Sequence, residues 1–94
     1  MEPPPPTVRI VFSESLRRFA KVPELRLAPG SIEQVLRQLE AKDGELFRRM
    51  TSDNGLSRAI KIFVNNIAID ALAGHQTEVK PGDEVRLIVA SSGG

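Results

Sequence analysis

The spacing of apolar residues along the chain constrains its fold most strongly, because two different periods occur. One stretch carries apolar side chains at helical spacing, at Ile32, Val35, Leu36 and Leu39. A helix over this stretch is therefore apolar along one side only. The segments around it are shorter and alternate polar with apolar residues, which is the period of a half-buried β-strand. We therefore expect one main helix packed against one face of a sheet.

Five segments have strand character, and turn signals separate them. They cover residues 7–12, 24–27, 60–64, 67–69 and 85–89. Pro29-Gly30, Asn65-Asn66 and Pro81-Gly82 interrupt the pattern, because Pro and Gly end strands and Asn tolerates left-handed backbone. The order strand, strand, helix, strand, strand, strand predicts an α+β domain. Its mixed sheet has four or five strands, with the helix on one face.

The main helix has its own start and end signals. Ser31 and Gln34 have the spacing of a capping box, in which each side chain accepts a hydrogen bond from the other residue's backbone N–H. Asp43-Gly44 ends the helix. A further short helical turn is indicated by Leu46, Phe47 and Met50.

Two connections are longer than simple turns. Residues 13–22 link the first two strands, and we expect Leu16 and Phe19 in this link to reach the core. Residues 51–55 are interpreted as a polar loop. At the two ends we expect a disordered Pro-rich lead over residues 1–6 and a flexible tail over residues 91–94, so the folded domain covers 7–90.

Composition excludes several classes of function. Thirteen Lys and Arg balance twelve Asp and Glu, and the formal charge of +1 gives no general attraction to nucleic acid or to an anionic membrane. Cysteine is absent, which removes disulfides, thiolate metal sites and cysteine nucleophiles. No apolar run has the length of a membrane span, and the first residues do not resemble a signal peptide. We therefore expect a cytoplasmic protein.

Three smaller features are interpreted as structural. His75 is the only histidine and has no second histidine or cysteine as co-ligand, so we expect a surface residue, with no metal and no bound cofactor in this chain. Asp83 and Glu84 face opposite ways on a strand, so they shape the turn at Pro81-Gly82 and do not form an acid–base pair. We interpret two basic clusters as ordinary solvent-exposed faces. They are Arg17-Arg18 with Lys21, and Arg48-Arg49.

The most informative feature is the pair Gly93-Gly94 at the end of the sequence. Glycine has no Cβ, so two glycines make a thin chain end that adopts backbone angles closed to other residues. Residues 91–94 reach about 14 Å at most when extended. Such a tail can enter a narrow active site while the folded body stays outside. The carboxylate of Gly94 is a poor electrophile by itself. Adenylation in such a site would supply it with a good leaving group.

Several short motifs together resemble a known family. They are Phe63-Val64-Asn65-Asn66, Gln76-Thr77-Glu78-Val79, Pro81-Gly82-Asp83-Glu84-Val85 and Gly93-Gly94. In order and spacing they are similar to the MoaD/ThiS sulfur carriers, which typically show a V-N-G or V-N-D turn, a Thr before G-D-E-V, and a terminal Gly-Gly. The resemblance extends from Val8 to Gly94. The long segment 43–58 places it nearer the molybdopterin synthase small subunit, or the carrier of cysteine synthesis, than the thiamin-type carriers.

The fold expected with this resemblance is the ubiquitin-like β-grasp, with the first and last strands parallel at the centre of the sheet. Its helix-facing side takes the apolar strand residues. The other side then carries Val11, Phe63 and Ile88, which we expect to lie side by side. Adjacent apolar residues on central strands favour a docking patch. We predict that these three, together with Ser91 and Ser92 of the tail, contact partner proteins.

The resemblance implies a carrier and not an enzyme. A ubiquitin-activating-type adenylyltransferase would use ATP to adenylate Gly94, and a persulfide sulfurtransferase would then donate sulfur. The resulting thiocarboxylate would deliver sulfur to an acceptor synthase subunit, for molybdopterin, cysteine or thiamin synthesis. Two alternatives remain open: a protein modifier conjugated to lysines through Gly94, and an interaction module whose Gly-Gly is incidental.

Overall fold

A five-stranded mixed sheet organises the domain, and the computed structural model describes residues 6–52 and 55–90. In spatial order the strands are β2 (Glu24–Leu27), β1 (Val8–Phe12), β9 (Glu84–Val89), β6 (Ile60–Val64) and β7 (Ile67–Ala68). The two strands β1 and β9 are parallel, and every other neighbouring pair is antiparallel. The predicted β-grasp sheet is therefore confirmed, with the first and last strands adjacent at its centre.

Helix α2 (Ile32–Lys42) is the main helix, and its start follows from the sequence. The Ser31 hydroxyl accepts a hydrogen bond from the Gln34 N–H at 3.2 Å, and the Gln34 side chain accepts one from the Ser31 N–H at 2.9 Å. This is the predicted capping box. Two shorter helices flank α2 along the chain. The first, α1 (Glu14–Arg17), lies where the sequence predicts only a connection, and the second, α3 (Gly44–Met50), matches the predicted helical turn.

The core lies between the sheet and the helices. Alternate residues of β1, β6 and β9 point into it, and the apolar stripe of α2 meets them. Helices α1 and α3 close its sides with Leu16, Leu46 and Met50. A fully buried Leu or Ile contributes about 1.5–3 kcal/mol relative to an exposed one. Side chains with no exposure at all include Val8, Ile10, Ile32, Leu39, Leu46 and Met50.

Phe19 is not in the core, and this part of the prediction was wrong. Leu16 is 3% exposed, as expected, but Phe19 is 42% exposed. The reason is local: α1 ends at Arg17, and the tight turns that follow carry Phe19 to the surface. There its ring packs under the guanidinium of Arg49, with 4.1 Å from the guanidinium carbon to the ring centroid.

Two short antiparallel ribbons complete the architecture. Strand β3 (Gly30–Ser31) pairs with β8 (Glu78–Val79), which ties the start of α2 to the segment that precedes β9. Strand β4 (Thr51–Ser52) pairs with β5 (Gly55–Leu56), where the sequence predicts only a polar loop over residues 51–55.

Asp43 joins two parts of the domain that are distant in sequence. Its side chain is 2% exposed. One carboxylate oxygen accepts a hydrogen bond from the Leu46 N–H at 3.2 Å and so caps α3. The other oxygen accepts one from the Lys21 N–H at 2.9 Å, which holds the connection between α1 and β2.

Replacing Asp43 should therefore destabilise the domain. We expect Asp43→Ala to lower the free energy of unfolding by about 1–3 kcal/mol, because two backbone N–H groups lose their acceptor. Asp43→Asn should cost less, since one amide oxygen remains for Leu46. Urea denaturation followed by circular dichroism measures this. The exposed Asp70→Ala is the control and should behave like wild type. Equal stability of both Asp43 variants and wild type would contradict the shared-cap role.

Candidate functional site

The end of β9 is held firmly against the body of the domain. The Val89 N–H donates a hydrogen bond to the Ser13 hydroxyl at 3.4 Å, and the Ala90 N–H donates one to the Ala59 carbonyl at 2.7 Å. The residues predicted to carry the chemistry, Gly93 and Gly94 with Ser91 and Ser92, lie outside the described residues, so their roles stay predictions. What the structure provides is a fixed point from which the tail begins.

The pairing of β1 with β9 determines where this fixed point lies. Both strands run in the same direction, so their carboxyl ends meet at one edge of the domain. The Ser13 N–H donates to the Leu87 carbonyl at 2.9 Å, one residue after β1 ends. Helix α1 begins there, which places its residues beside the end of β9.

The predicted docking residues do share one face of the sheet. Val11, Phe63 and Ile88 point away from the core and are half-buried. Val11 and Phe63 are not direct neighbours, because β9 runs between β1 and β6, whereas Ile88 is the diagonal neighbour of each of them. Arg86 of β9 pairs in register with both Val11 and Phe63 and so separates them, while Ile88 pairs with Lys61. The outward face is therefore apolar and cationic together.

An arginine–carboxylate cluster borders these apolar residues. Glu84 forms an ion pair with Arg9 and a second one, at 3.1 Å, with Arg86. The hydrogen bond from Arg9 is the main cause that lowers the pKa of Glu84, and the charge of Arg86 adds to it. Glu84 thus stays ionised and holds both guanidinium groups along the face.

Sequence reasoning missed Arg86 and Lys61 as members of this face. The signal was present in the alternation of β9, since Glu84, Arg86 and Ile88 are two residues apart and must point the same way. Apolar side chains next to guanidinium groups are typical of surfaces that bind other proteins.

Two of the motifs that carried the family resemblance are joined by hydrogen bonds between the turn at Asn65-Asn66 and the turn that ends at Asp83-Glu84. We call this set of hydrogen bonds the lock between the two turns. Asn65 and Asn66 have φ angles of 50° and 71°, the left-handed turn expected of them. The Asn65 side chain donates to Asp83 at 2.9 Å and accepts from the Glu84 N–H at 3.0 Å. Asp83 also accepts from the Lys80 N–H at 2.8 Å, so it shapes the turn before β9 as predicted.

His75 lies beside a shallow cleft and not in a ligand cluster. The cleft has a volume of about 480 Å³ and is also lined by Arg58, Lys61 and Asp70. Over residues 6–52 and 55–90, no three His, Asp or Glu side chains are grouped as metal ligands. Within the same two ranges, no helix combines the length and the apolar character needed to cross a membrane.

The central parallel pair, the single main helix and the strand order define a ubiquitin-like β-grasp protein. The model of the ThiS family matches residues 10–94, which is most of the sequence. The chain belongs to the ThiS family, as its motifs indicated. No curated protein matches it in sequence.

Solved structures share the fold of this chain. The small archaeal modifier protein 1 of Methanosarcina acetivorans is 28% identical, with a TM-score of 0.83 over 95% of this chain and 97% of that one. A chain of the Amycolatopsis orientalis BexX/CysO complex is 22% identical, with a TM-score of 0.77 over 93% and 99%. The putative molybdopterin converting factor, subunit 1, of Pyrococcus furiosus is 15% identical, with a TM-score of 0.70 over 90% and 98%. The last two support the fold alone.

Acid should weaken the lock between the two turns. Hydrogen bonds, first from the Lys80 N–H and then from Asn65, lower the pKa of Asp83 below its ordinary 3.8. A lowered pKa means that the ionised form stabilises the fold above the unfolded value, and that this stability is lost as the pH falls through the folded value. Asp83→Asn should therefore show a shallower loss of stability than wild type as the pH falls through and below 3.8.

The measurement is the urea midpoint at a series of pH values. Asp70→Asn removes the same charge from an exposed position and should keep the wild-type pH profile. An unchanged profile in Asp83→Asn would show that Asp83 does not contribute to the acid sensitivity.

Proposed function

We propose that this chain is a sulfur carrier whose Gly94 carboxylate is adenylated and then converted to a thiocarboxylate. The observation that carries the proposal is the position of Gly93-Gly94 relative to the fold. They come just after Ala90, the residue whose N–H ties the end of the central strand to the body. Membership of the ThiS family supports the same function.

The proposed chemistry needs three steps on partner enzymes. In the first, an oxygen of the Gly94 carboxylate attacks the α-phosphorus of ATP, and pyrophosphate leaves. In the second, a persulfide sulfur from a sulfurtransferase displaces AMP to form an acyl disulfide. A thiol then cleaves the S–S bond, which leaves the thiocarboxylate on Gly94. The chain is the substrate in all three steps, and the activating enzyme uses the ATP.

The folded body contributes position to this chemistry. A tail of residues 91–94 spans about 14 Å when extended, so the reacting phosphorus must lie within that distance of the docked domain. A fixed starting point reduces the conformations that the tail must lose on entry. The sulfur passes to an acceptor synthase subunit in the cytoplasm, and molybdopterin synthesis is the pathway that we favour, ahead of cysteine or thiamin synthesis.

One observation favours a second function, that of a protein modifier. The 28% identity to a small archaeal modifier protein extends over nearly the whole of both chains. In a modifier, a lysine amine of a target attacks the adenylated or thioester-bound Gly94, and an amide bond forms. Both functions share the adenylation step, so the fate of the activated carboxylate separates them.

Changes at the tail should test the proposal directly. One residue added after Gly94 should abolish activation, because the reactive carboxylate would no longer lie at the α-phosphorus. Gly94→Ala should impair activation less completely, through crowding and restricted backbone angles. Intact mass after incubation with the activating enzyme, ATP and a persulfide donor is the measurement. A gain equal to the exchange of one oxygen for one sulfur, mapped to the C-terminal peptide, is expected.

Two other results would redirect the assignment. A lysine conjugate without any thiocarboxylate would favour the modifier. An unchanged mass, together with full biological function after the tail is extended, would exclude both functions. Neither tail variant should change the urea midpoint, and this is the control for folding.

The outward face of the sheet is the proposed contact with the activating enzyme and the synthase. Phe63→Asp or Ile88→Asp should leave the fold intact and weaken binding roughly tenfold or more, because an unpaired charge would be buried in the interface. The matched control is Leu72→Asp, since Leu72 is 45% exposed and lies outside the strands of the sheet. The Michaelis constant for the carrier in ATP–pyrophosphate exchange is the measurement. Wild-type constants in folded Phe63→Asp and Ile88→Asp would contradict this face.

A further inference from the structure

Five arginines are carried by three segments that hydrogen bonds and one cation–π contact link to the end of β9. Arg17 closes α1 and Arg18 follows it, Arg48 and Arg49 form the last turn of α3, and Arg58 precedes β6. All five are exposed. We call these five residues the cationic collar. In the sequence they are three separate positions along the chain, and two of them were interpreted only as solvated faces.

The first part of the collar is connected to β9 through α1. The Val89 N–H donates to the hydroxyl of Ser13, and Ser13 is the residue at which α1 begins. Two residues after Arg17, the ring of Phe19 lies 4.1 Å from the guanidinium carbon of Arg49. This stacking holds the segment that follows α1, which carries Arg18, against the last turn of α3.

The second part is connected to β9 through the segment before β6. The carbonyl of Met50, the last residue of α3, accepts a hydrogen bond from the Ser57 N–H at 2.8 Å. Two residues further on, the Ala59 carbonyl accepts one from the Ala90 N–H at 2.7 Å. Arg58 lies between these two contacts. The series of contacts begins at Val89 and ends at Ala90. The three segments that carry the collar are therefore held together at the point where the tail begins.

Ion pairs among the described residues do not neutralise the arginines of the collar. Among the described residues, the ion pairs use Arg9, Arg26, Arg37 and Arg86, and no collar arginine takes part. The helices that carry the collar contribute two exposed carboxylates, Glu14 and Glu45, and the carboxylate of Asp43 is buried in its two hydrogen bonds. Two further exposed acidic residues lie close by: Glu40 lines a surface depression with Arg48, and Asp70 lines the cleft with Arg58. The five guanidinium groups outnumber these four exposed carboxylates, and none of the five is used in an ion pair with a described residue, so this end of the domain carries an excess of positive charge.

We propose that the cationic collar docks on a carboxylate-rich protein surface around the entrance through which a partner enzyme takes the tail. The inference rests on the proposed function, because an enzyme that reaches Gly94 must approach this end of the domain. Every collar residue is an arginine, whose planar guanidinium matches a carboxylate with two parallel hydrogen bonds. A polynucleotide is disfavoured because the rest of the chain has more acidic than basic side chains and would repel it.

A double charge reversal with a matched control tests the collar. Arg18→Glu with Arg48→Glu changes two exposed collar residues, and Arg37→Glu with Lys80→Glu makes the same charge change elsewhere on the surface. With the activating enzyme from the same genome, the collar variant should raise the Michaelis constant for the carrier by about tenfold, with little change in kcat. The difference should shrink in about 0.5 M salt, where exposed charges are screened. Equal Michaelis constants for both double variants would overturn the proposal.

A binding experiment keeps this proposal separate from the proposed function. If the wild-type chain is not adenylated at all, the proposed function fails, and a titration of the labelled chain still judges the collar. We expect a poly-glutamate peptide to shift the NMR signals of residues 17–18, 48–49 and 58 in wild type and in the control, but not in the collar variant. Absence of these shifts in wild type would overturn the proposal. Tighter binding of an RNA duplex to the same residues would also overturn it, in favour of nucleic acid.

Discussion

The parallel pairing of the first and last strands is the interaction on which the rest of this structure depends. It joins residues that are 75 positions apart, as the Arg9–Glu84 ion pair illustrates. Closing so long a loop costs conformational entropy, which the burial of β1 and β9 side chains against α2 must offset. The same pairing brings Ser13 to the end of β9, so the core and the root of the tail are established by one contact between strands.

The family's short motifs have a structural explanation here. Asn65 and Asp83 come from different motifs, and their hydrogen bond fastens the turn after β6 to the turn before β9. None of these side chains needs to take part in chemistry. Their effect is to fix the register of β9 relative to the neighbouring strands. The residues beyond Ala90 therefore start from a constant position. In the function proposed here, the folded domain sets the position at which the tail begins, and the two glycines allow the backbone angles that a narrow active site requires.

Two kinds of surface accompany the end of the central strand. The outward face combines Val11, Phe63 and Ile88 with guanidinium groups, which suits a desolvated contact. The collar consists of exposed arginines, which steer a partner and select it by charge more than they add affinity. Together they would let an enzyme recognise the folded body and orient it before the tail enters.

The sequence by itself determined the elements of this protein. The capping box at Ser31, the stripe along α2 and the alternation in β6 follow from local periodicity and local hydrogen bonding, and all were predicted from it. The Gly-Gly pair likewise needs no tertiary context to be noticed. Tertiary structure alone decided that Arg86 separates Val11 from Phe63, and that Phe19 packs under Arg49 on the surface. It also decided that three distant segments that carry arginines are linked by contacts to Val89 and Ala90. The physical reason is that periodicity reports which way a side chain points, whereas its neighbours depend on strand register and helix docking between distant segments.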